Sequence, residues 1–304
     1  MQQLAEVRDK CCCPSFIIAG SGPYLSILGA VITDKFIVHR LTSGLDWLGL
    51  ARSSSFEDRH VYRIAQVFDA FRKALEGLDE FYEQLGRQDL GLSDRMPHLR
   101  FYPYITEFTA SASKSTEEFE YIRPLTASAT SPFLARLKSS GKMVVVKFVA
   151  RYGEDAHRLL ADADMAPHLL YCGSVDGKHD TGNPDTKDPF GLYQGFPRMV
   201  VMDYIDGTHG EALVVKPKDT YSQVKAMVDK LHESGYVFGD LRPPNILFSA
   251  GKALLVDFDW AGKHGEAFYP MELAEGITKY CEGRDLGVIE KEHDLALLVH
   301  YFYQ

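Results

Sequence analysis

No stretch of this chain approaches the ~20 consecutive apolar residues that a membrane-crossing helix needs, so no such helix is expected. The first ten residues, MQQLAEVRDK, lack the apolar core of a secretory signal. The expected compartment is therefore the cytoplasm or nucleus. A concentrated basic patch is also missing. Lys and Arg number 33, scattered among 42 Asp and Glu, for a net charge of -9. A surface of that sign is repelled by phosphate backbones and anionic lipid, so neither nucleic acid nor membrane is an expected partner. Cysteines number only 5. Cys11, Cys12 and Cys13 are adjacent and cannot all turn toward one metal from a regular element, and no second Cys or His pair stands at ligand spacing. Cys172 and Cys281 stand alone and are expected as buried or free thiols. What remains is an ordinary folded composition, 45% hydrophobic and 25% charged, which argues against extended disorder.

Periodicity divides the chain in two. SFIIAG (15–20), PYLSILGAVI (23–32) and FIVHRL (36–41) read as strands, separated by turn residues. Ser54 followed by Glu57 is a capping-box pattern. Val61, Ile64, Val67, Phe68, Phe71, Leu75, Leu78, Tyr82 and Leu85 then keep helical spacing, which predicts one long helix burying one face. A domain boundary is placed near residue 115. Beyond it, FEYIRPL, PFLARLK, MVVVKFV (143–149), HLLYCGSV (168–175) and RMVVMDYI (198–205) are strand candidates. Glu154–Ala163 and Tyr221–Ser234 read as helices, the second ending at Gly235. NILF and ALLVDFD, joined at Ser249–Lys252, predict a hairpin. Residues 288–302 read as a terminal helix, and the polar segment 178–196 as a flexible loop.

The informative segment is LHESGYVFGDLRPPNILFSAGKALLVDFDWAG (231–262). A helix ends at a glycine, a short turn presents Asp240, Asn245 opens the hairpin, and Asp257 closes it. The hairpin brings Asn245 and Asp257 side by side as hard oxygen donors, which suits Mg²⁺ held against phosphates. Asp240 is placed to accept a hydroxyl proton. A metal clamp, an oriented hydroxyl and neutralised phosphate charge are most of what phosphoryl transfer needs.

This segment resembles the catalytic and metal-binding loops of protein kinases, with D-L-R-P-P-N-I-L and V-D-F-D standing where that family has D-L-K-x-x-N and D-F-G. The resemblance implies Asp240 as catalytic base with Arg242 beside it, Asn245 and Asp257 as Mg²⁺ ligands, and Leu247 beneath the adenine of ATP. It also implies a nucleotide clamp of Lys147 paired with Glu154, and a hinge at Asp203, Tyr204 and Ile205 whose backbone meets the adenine. Asp294, in E-H-D-L, resembles the buried aspartate that braces the catalytic loop. R-P-L-T, V-V-V-K-F-V, A-H-R-L-L-A, F-G-D-L-R-P-P-N-I-L and V-D-F-D-W-A-G together are similar to the fungal-type protein kinases, most densely over 120–272. The implied fold is α+β: a bilobal protein-kinase-like domain over 116–304 (N-lobe 116–205, C-lobe 206–304). A smaller α/β segment, 1–115, precedes it. So little chain follows Asp257 that a reduced C-lobe is expected, and the chain is expected to begin inside or after a further upstream region.

Four features depart from the kinase pattern. The phosphate-covering loop, within LTASATSPFLARL (125–137), has no glycine. Phe238-Gly239 replaces the usual His-Arg, Asp259 replaces the glycine of D-F-G, and no Ala-Pro-Glu follows. Three readings therefore stand: a kinase for Ser or Thr in proteins, a small-molecule phosphotransferase of the aminoglycoside or choline kinase kind, and a pseudokinase serving as an interaction module. The first two use ATP and Mg²⁺.

Overall fold

The computed structural model describes residues 11–21, 24–32, 36–42, 45–46, 54–87, 102–110, 115–126, 132–175, 198–213, 217, 219–270, 273 and 275–303. The chain divides into two compact units, Met1–Tyr104 and Ile105–Gln304.

In the first unit, β1 (Ser15–Ser21), β2 (Tyr24–Ile32) and β3 (Phe36–Arg40) form an antiparallel meander. The short β4 (Leu45–Asp46) also pairs with β2. The connections are too short for a parallel crossover, so each strand returns beside its predecessor. Helix α1 (Ser54–Arg87) lies against this sheet: Phe16 meets Phe71 edge to face at 5.3 Å, and the Tyr82 hydroxyl donates to the Pro14 carbonyl at 2.7 Å. The apolar stripe of α1 is only partly covered. Leu85 is buried and Phe71, Leu78 and Tyr82 are half-buried, but Val61, Phe68 and Leu75 stay exposed. The reason is length. A helix of 34 residues runs about 51 Å, whereas a nine-residue strand spans about 30 Å.

The second unit is α+β, an antiparallel sheet (the N-lobe) followed by a mainly helical part (the C-lobe). Its N-lobe is one antiparallel sheet in the order β5–β6–β7–β8–β10–β9. The strands are β5 (Glu107–Thr109), β6 (Thr116–Pro124), β7 (Phe133–Leu137), β8 (Met143–Val149), β9 (Leu169–Ser174) and β10 (Arg198–Asp203). Because β5 pairs with β6, this unit starts ahead of the boundary expected near residue 115. Phe119, Ala135, Val144, Val146 and Val201 bury one face of the sheet. The other face carries Val145, Lys147, Val149 and Val200 toward helix α2 (Glu154–Ala161) and the C-lobe. The alternation is strict because successive side chains of a strand point to opposite faces. Residues 127–131 of the expected phosphate loop (125–137), and all of the expected flexible loop (178–196), lie outside the described residues.

The C-lobe is built on helix α3 (Thr220–Glu233), the hairpin β13 (Ile246–Ser249) and β14 (Lys252–Leu255), and helices α4 (Glu275–Cys281) and α5 (Lys291–Phe302). The hairpin turns at Ala250 and Gly251, both with positive φ, as a tight right-twisted hairpin requires. Short strands β11 (Thr208–His209), β12 (Tyr236–Val237) and β15 (Gly262–Lys263) complete the pairing. Val224, Met227, Leu231, Leu255, Phe258, Leu297 and Phe302 share one core with Leu160 and Val149 of the N-lobe side. The last helix begins at Lys291 rather than near 288, because Glu290 caps it: its side chain accepts from the His293 backbone, and His293 Nδ1 accepts from the Glu290 N–H.

At the centre of that core sits His157, fully buried. One ring nitrogen, Nε2, faces the Pro167 carbonyl at 2.8 Å, and a carbonyl only accepts, so Nε2 carries the proton. Nδ1 then accepts from the Tyr152 hydroxyl at 2.7 Å. The ring is neutral, and burial pushes its pKa down to about 4. The unfolded chain takes up this proton near the ordinary histidine pKa of 6.5, whereas the folded chain does not until about 4. Stability from this group is therefore complete above that ordinary value and is lost as pH falls toward 4. From about pH 7 to pH 5 the loss is about 2 kcal/mol. Urea unfolding at the two pH values is expected to show that extra decline in wild type and its disappearance in His157→Gln.

Candidate active site

The loop that presents Asp240 is held from below. Gly239 adopts φ +83, a left-handed conformation that disfavours side chains, and a β-carbon there would lie 2.8 Å from Ile289 Cδ1. This is the local reason that glycine stands where an arginine would be usual. Asp294 on α5 is fully buried and accepts the N–H groups of Phe238 and Gly239, both at 2.8 Å. His232 Nε2 lies 3.0 Å from the same carboxylate. Asp294 thus anchors the turn before Asp240, in the bracing place that the resemblance implies.

Asp240 itself is buried. Asn245 Nδ2 donates to Asp240 Oδ2 and to the Asp240 carbonyl, each at 2.8 Å, which leaves the Asn245 side-chain oxygen as the atom free to act as a ligand. Arg242 Nε stands 2.9 Å from Asp240 Oδ1, near enough for charge attraction but not aligned as a hydrogen bond. Asp240 Oδ1 is therefore a buried carboxylate oxygen with no aligned hydrogen-bond donor among the described residues. Burial raises the pKa of this carboxyl, and the charge of Arg242 and the bond from Asn245 offset part of that rise. The Val256 N–H donates to the Asn245 carbonyl at 2.9 Å, which puts Asp257, the next residue, beside Asn245 as the hairpin predicts.

Lys147 projects from β8 with 12% of its side chain exposed. It does not meet Glu154, the partner expected from the sequence. Its ammonium donates to Asp257 Oδ1 at 2.6 Å and to Asp259 Oδ1 at 2.7 Å. Glu154 instead accepts from Arg158 at 2.9 Å and from Arg198 at 3.0 Å. The strand register explains the exchange. Val200 lies opposite Lys147 and Arg198 opposite Val149, so Lys147 and Arg198 project on one face of the sheet as diagonal neighbours. The Arg198 side chain is only 8% exposed, and a guanidinium cannot shed its charge, so it takes the nearest carboxylate. Arg198 and Asp259 are the two site residues that the sequence reading missed. The alternation of β10 was the available signal for the first; Asp259 was read only as a departure from D-F-G.

Burial opposes the charge on Lys147, but Asp259 and Asp257 outweigh it and its pKa is raised. Burial likewise works against ionised Asp257, and Lys147 overcomes it, holding that carboxyl below the ordinary range. Asp259 goes the other way, to about 7, because burial and the neighbouring Asp257 charge both disfavour a second anion. Asp257 is at φ 69, a left-handed conformation that aspartate tolerates better than most residues.

At the expected hinge, Asp203 N–H donates to His168 and Tyr204 N–H to Met143. Of the three residues, Ile205 makes no backbone hydrogen bond among the described residues. Leu247 is buried on β13 and packs against Gly207 just past that hinge.

Over 74 residues the chain is 35% identical to the "Probable serine/threonine-protein kinase BUD32 homolog" of Archaeoglobus fulgidus, a match covering 22% of this chain. The chain spans 38% of the length of that curated relative. The chain is thus similar to a protein kinase. Among solved structures it matches the Cydia pomonella granulovirus kinase PK-1 at a TM-score of 0.42 and 17% identity, covering 59% of this chain and 65% of that one. No protein-family model matches the chain.

Asp294→Ala would leave two buried N–H groups without an acceptor. It is expected to cost about 3–5 kcal/mol, read as a fall in the denaturant midpoint, with Asp294→Asn costing less because one acceptor oxygen survives.

Proposed function

We propose that the unit Ile105–Gln304 is an ATP- and Mg²⁺-dependent phosphotransferase that phosphorylates serine or threonine in proteins. The observation that carries this reading is the buried Asp240, whose Oδ2 is held by Asn245 and whose Oδ1 has a cation close by but no aligned hydrogen-bond donor among the described residues. A buried carboxylate oxygen without a donor costs stability unless something supplies one. A substrate hydroxyl would supply it and place its proton where a base can take it. The kinase similarity over 74 residues and the description of that relative support the protein-kinase type and the Ser/Thr preference.

The residues present fit the implied nucleotide and metal. Asn245, with its amide hydrogens already committed, and Asp257, kept ionised, offer the hard oxygen donors that Mg²⁺ prefers. When bound, ATP supplies the phosphoryl group and Mg²⁺ neutralises its charge. The chain's own residues do the rest. Asp240 orients the hydroxyl and accepts its proton at Oδ1, while Asn245 holds Oδ2 still. Arg242 places a permanent positive charge beside Asp240. Lys147 clamps phosphate oxygens, Glu154 completes the polar frame behind it through Arg198, the Ile205 backbone with its neighbours Asp203 and Tyr204 meets the adenine, and Leu247 lies beneath it. On the motifs already quoted we propose an affinity with the fungal-type kinases, and a site of action inside the cell, in cytoplasm or nucleus. Met1–Tyr104 is proposed as a separate N-terminal segment.

A second reading, a nucleotide-binding or interaction module without turnover, is favoured by the closed Lys147–Asp257 pair and the absence of glycine between residues 125 and 137. Turnover of ATP with Mg²⁺ and a generic protein acceptor separates the two. Wild type is expected to transfer phosphate and Asp240→Asn to lose about 10²–10⁴-fold in rate while still binding ATP, since only the base is removed. Full transfer by Asp240→Asn would reject the assignment of the catalytic loop. Lys147→Met is expected to raise the KM for ATP about tenfold or more, because a charged hydrogen bond to phosphate is lost. Transfer to small alcohols but never to peptides would favour the small-molecule kinase reading instead.

A further inference from the structure

Resting on the phosphotransferase reading, we propose that Asp259, and not Glu154, is the carboxylate that positions Lys147 for nucleotide. Three observations converge on it. First, Glu154 is already committed. Its two carboxylate oxygens face Arg158 and the buried Arg198, and among the described residues Arg198 Nε has no hydrogen-bond partner of its own. Moving Glu154 to Lys147 would strand a permanent buried charge, which costs far more than the surface pairing of Arg158 returns.

Second, helix α2 cannot easily bring Glu154 closer, because its start is locked to the loop that carries Asp257 and Asp259. The Gly153 N–H donates to the Phe258 carbonyl at 2.9 Å. A β-carbon on Gly153 would lie 2.5 Å from the Ala261 carbonyl oxygen, so the two backbones are in direct contact. One turn further, His157 stacks on the Phe258 ring at 4.4 Å with the planes 5° apart. Helix and loop therefore shift together, and the separation of Glu154 from this loop is built in.

Third, Asp259 already sits where a lysine partner is needed. Its Oδ1 is 2.7 Å from Lys147 Nζ, as close as that of Asp257 at 2.6 Å. If Asp257 turns to a metal, Lys147 keeps one carboxylate and stays aimed into the cleft. A glycine at position 259 would leave it with none. The departure from D-F-G thus has a purpose: the third residue of the motif does the holding that a helix residue does in the usual arrangement.

Two measurements test this. The first needs no nucleotide. Double-mutant cycles on stability, using Lys147→Met with Asp259→Asn and Lys147→Met with Glu154→Gln, are expected to show coupling in the first pair and none in the second. The second measures KM and kcat for ATP. Asp259→Asn is expected to raise KM about tenfold with little fall in melting temperature, an effect absent when Lys147→Met is already present, and Asp259→Glu is expected to restore part of it. Glu154→Gln is expected to lower the melting temperature and to move KM less than Asp259→Asn does. Coupling of Lys147 to Glu154 rather than to Asp259, or a larger KM effect from Glu154→Gln, would overturn the proposal. A wild type that binds and transfers nothing would sink the phosphotransferase reading, and the stability cycles would still decide which carboxylate holds Lys147.

Discussion

Two cations on one face of the N-lobe sheet must each find a carboxylate, and that requirement organises the cleft. Lys147 and Arg198 sit as diagonal neighbours on β8 and β10, mostly shielded from water. An unpaired charge there would cost several kcal/mol, so both are matched from outside the sheet. Glu154 at the start of α2 takes Arg198, and the loop after β14 brings Asp257 and Asp259 to Lys147. The pairing ties together three pieces that no covalent bond holds near one another.

The same loop carries the mechanical connection between lobes. Phe258 points into the core between Phe238 and His157, while the carboxylates on either side of it point to the cleft. Alternation along three residues thus gives one apolar anchor and two polar ends. A displacement of α2 must drag Phe258, and with it Asp257 and Asp259. The stacked, neutral His157 is part of this link, which makes the lobe contact sensitive to acid in the window where an ordinary histidine would charge.

The loop that carries Asp240 is fixed from the opposite side. Asp294 holds the backbone of Phe238 and Gly239, and the left-handed Gly239 turns the chain so that Asp240 faces the cleft with one oxygen bound and one unbound. The anchors that position this loop are few, buried and charged.

Much of this was legible in the chain itself. The strand MVVVKFV and helix 54–87 follow from apolar periodicity, and the hairpin around Ala250-Gly251 follows from turn chemistry, because both signals are local and dominate their neighbourhoods. The spacing of Asp240, Asn245 and Asp257 marked the cleft for the same reason: a tight hairpin converts sequence distance directly into spatial distance. Ion-pair partners were not legible in this way. Lys147 lies more than a hundred residues from Asp257 and Asp259, and Glu154 is divided from Arg198 by a polar insertion. A charge several residues away in sequence and one across the fold compete for the same partner on distance and burial alone. Sequence determined which cations and carboxylates exist and which face each occupies. Only the tertiary structure, by locking Gly153 onto the 258–261 loop and burying Arg198 beside Glu154, decided which of them meet.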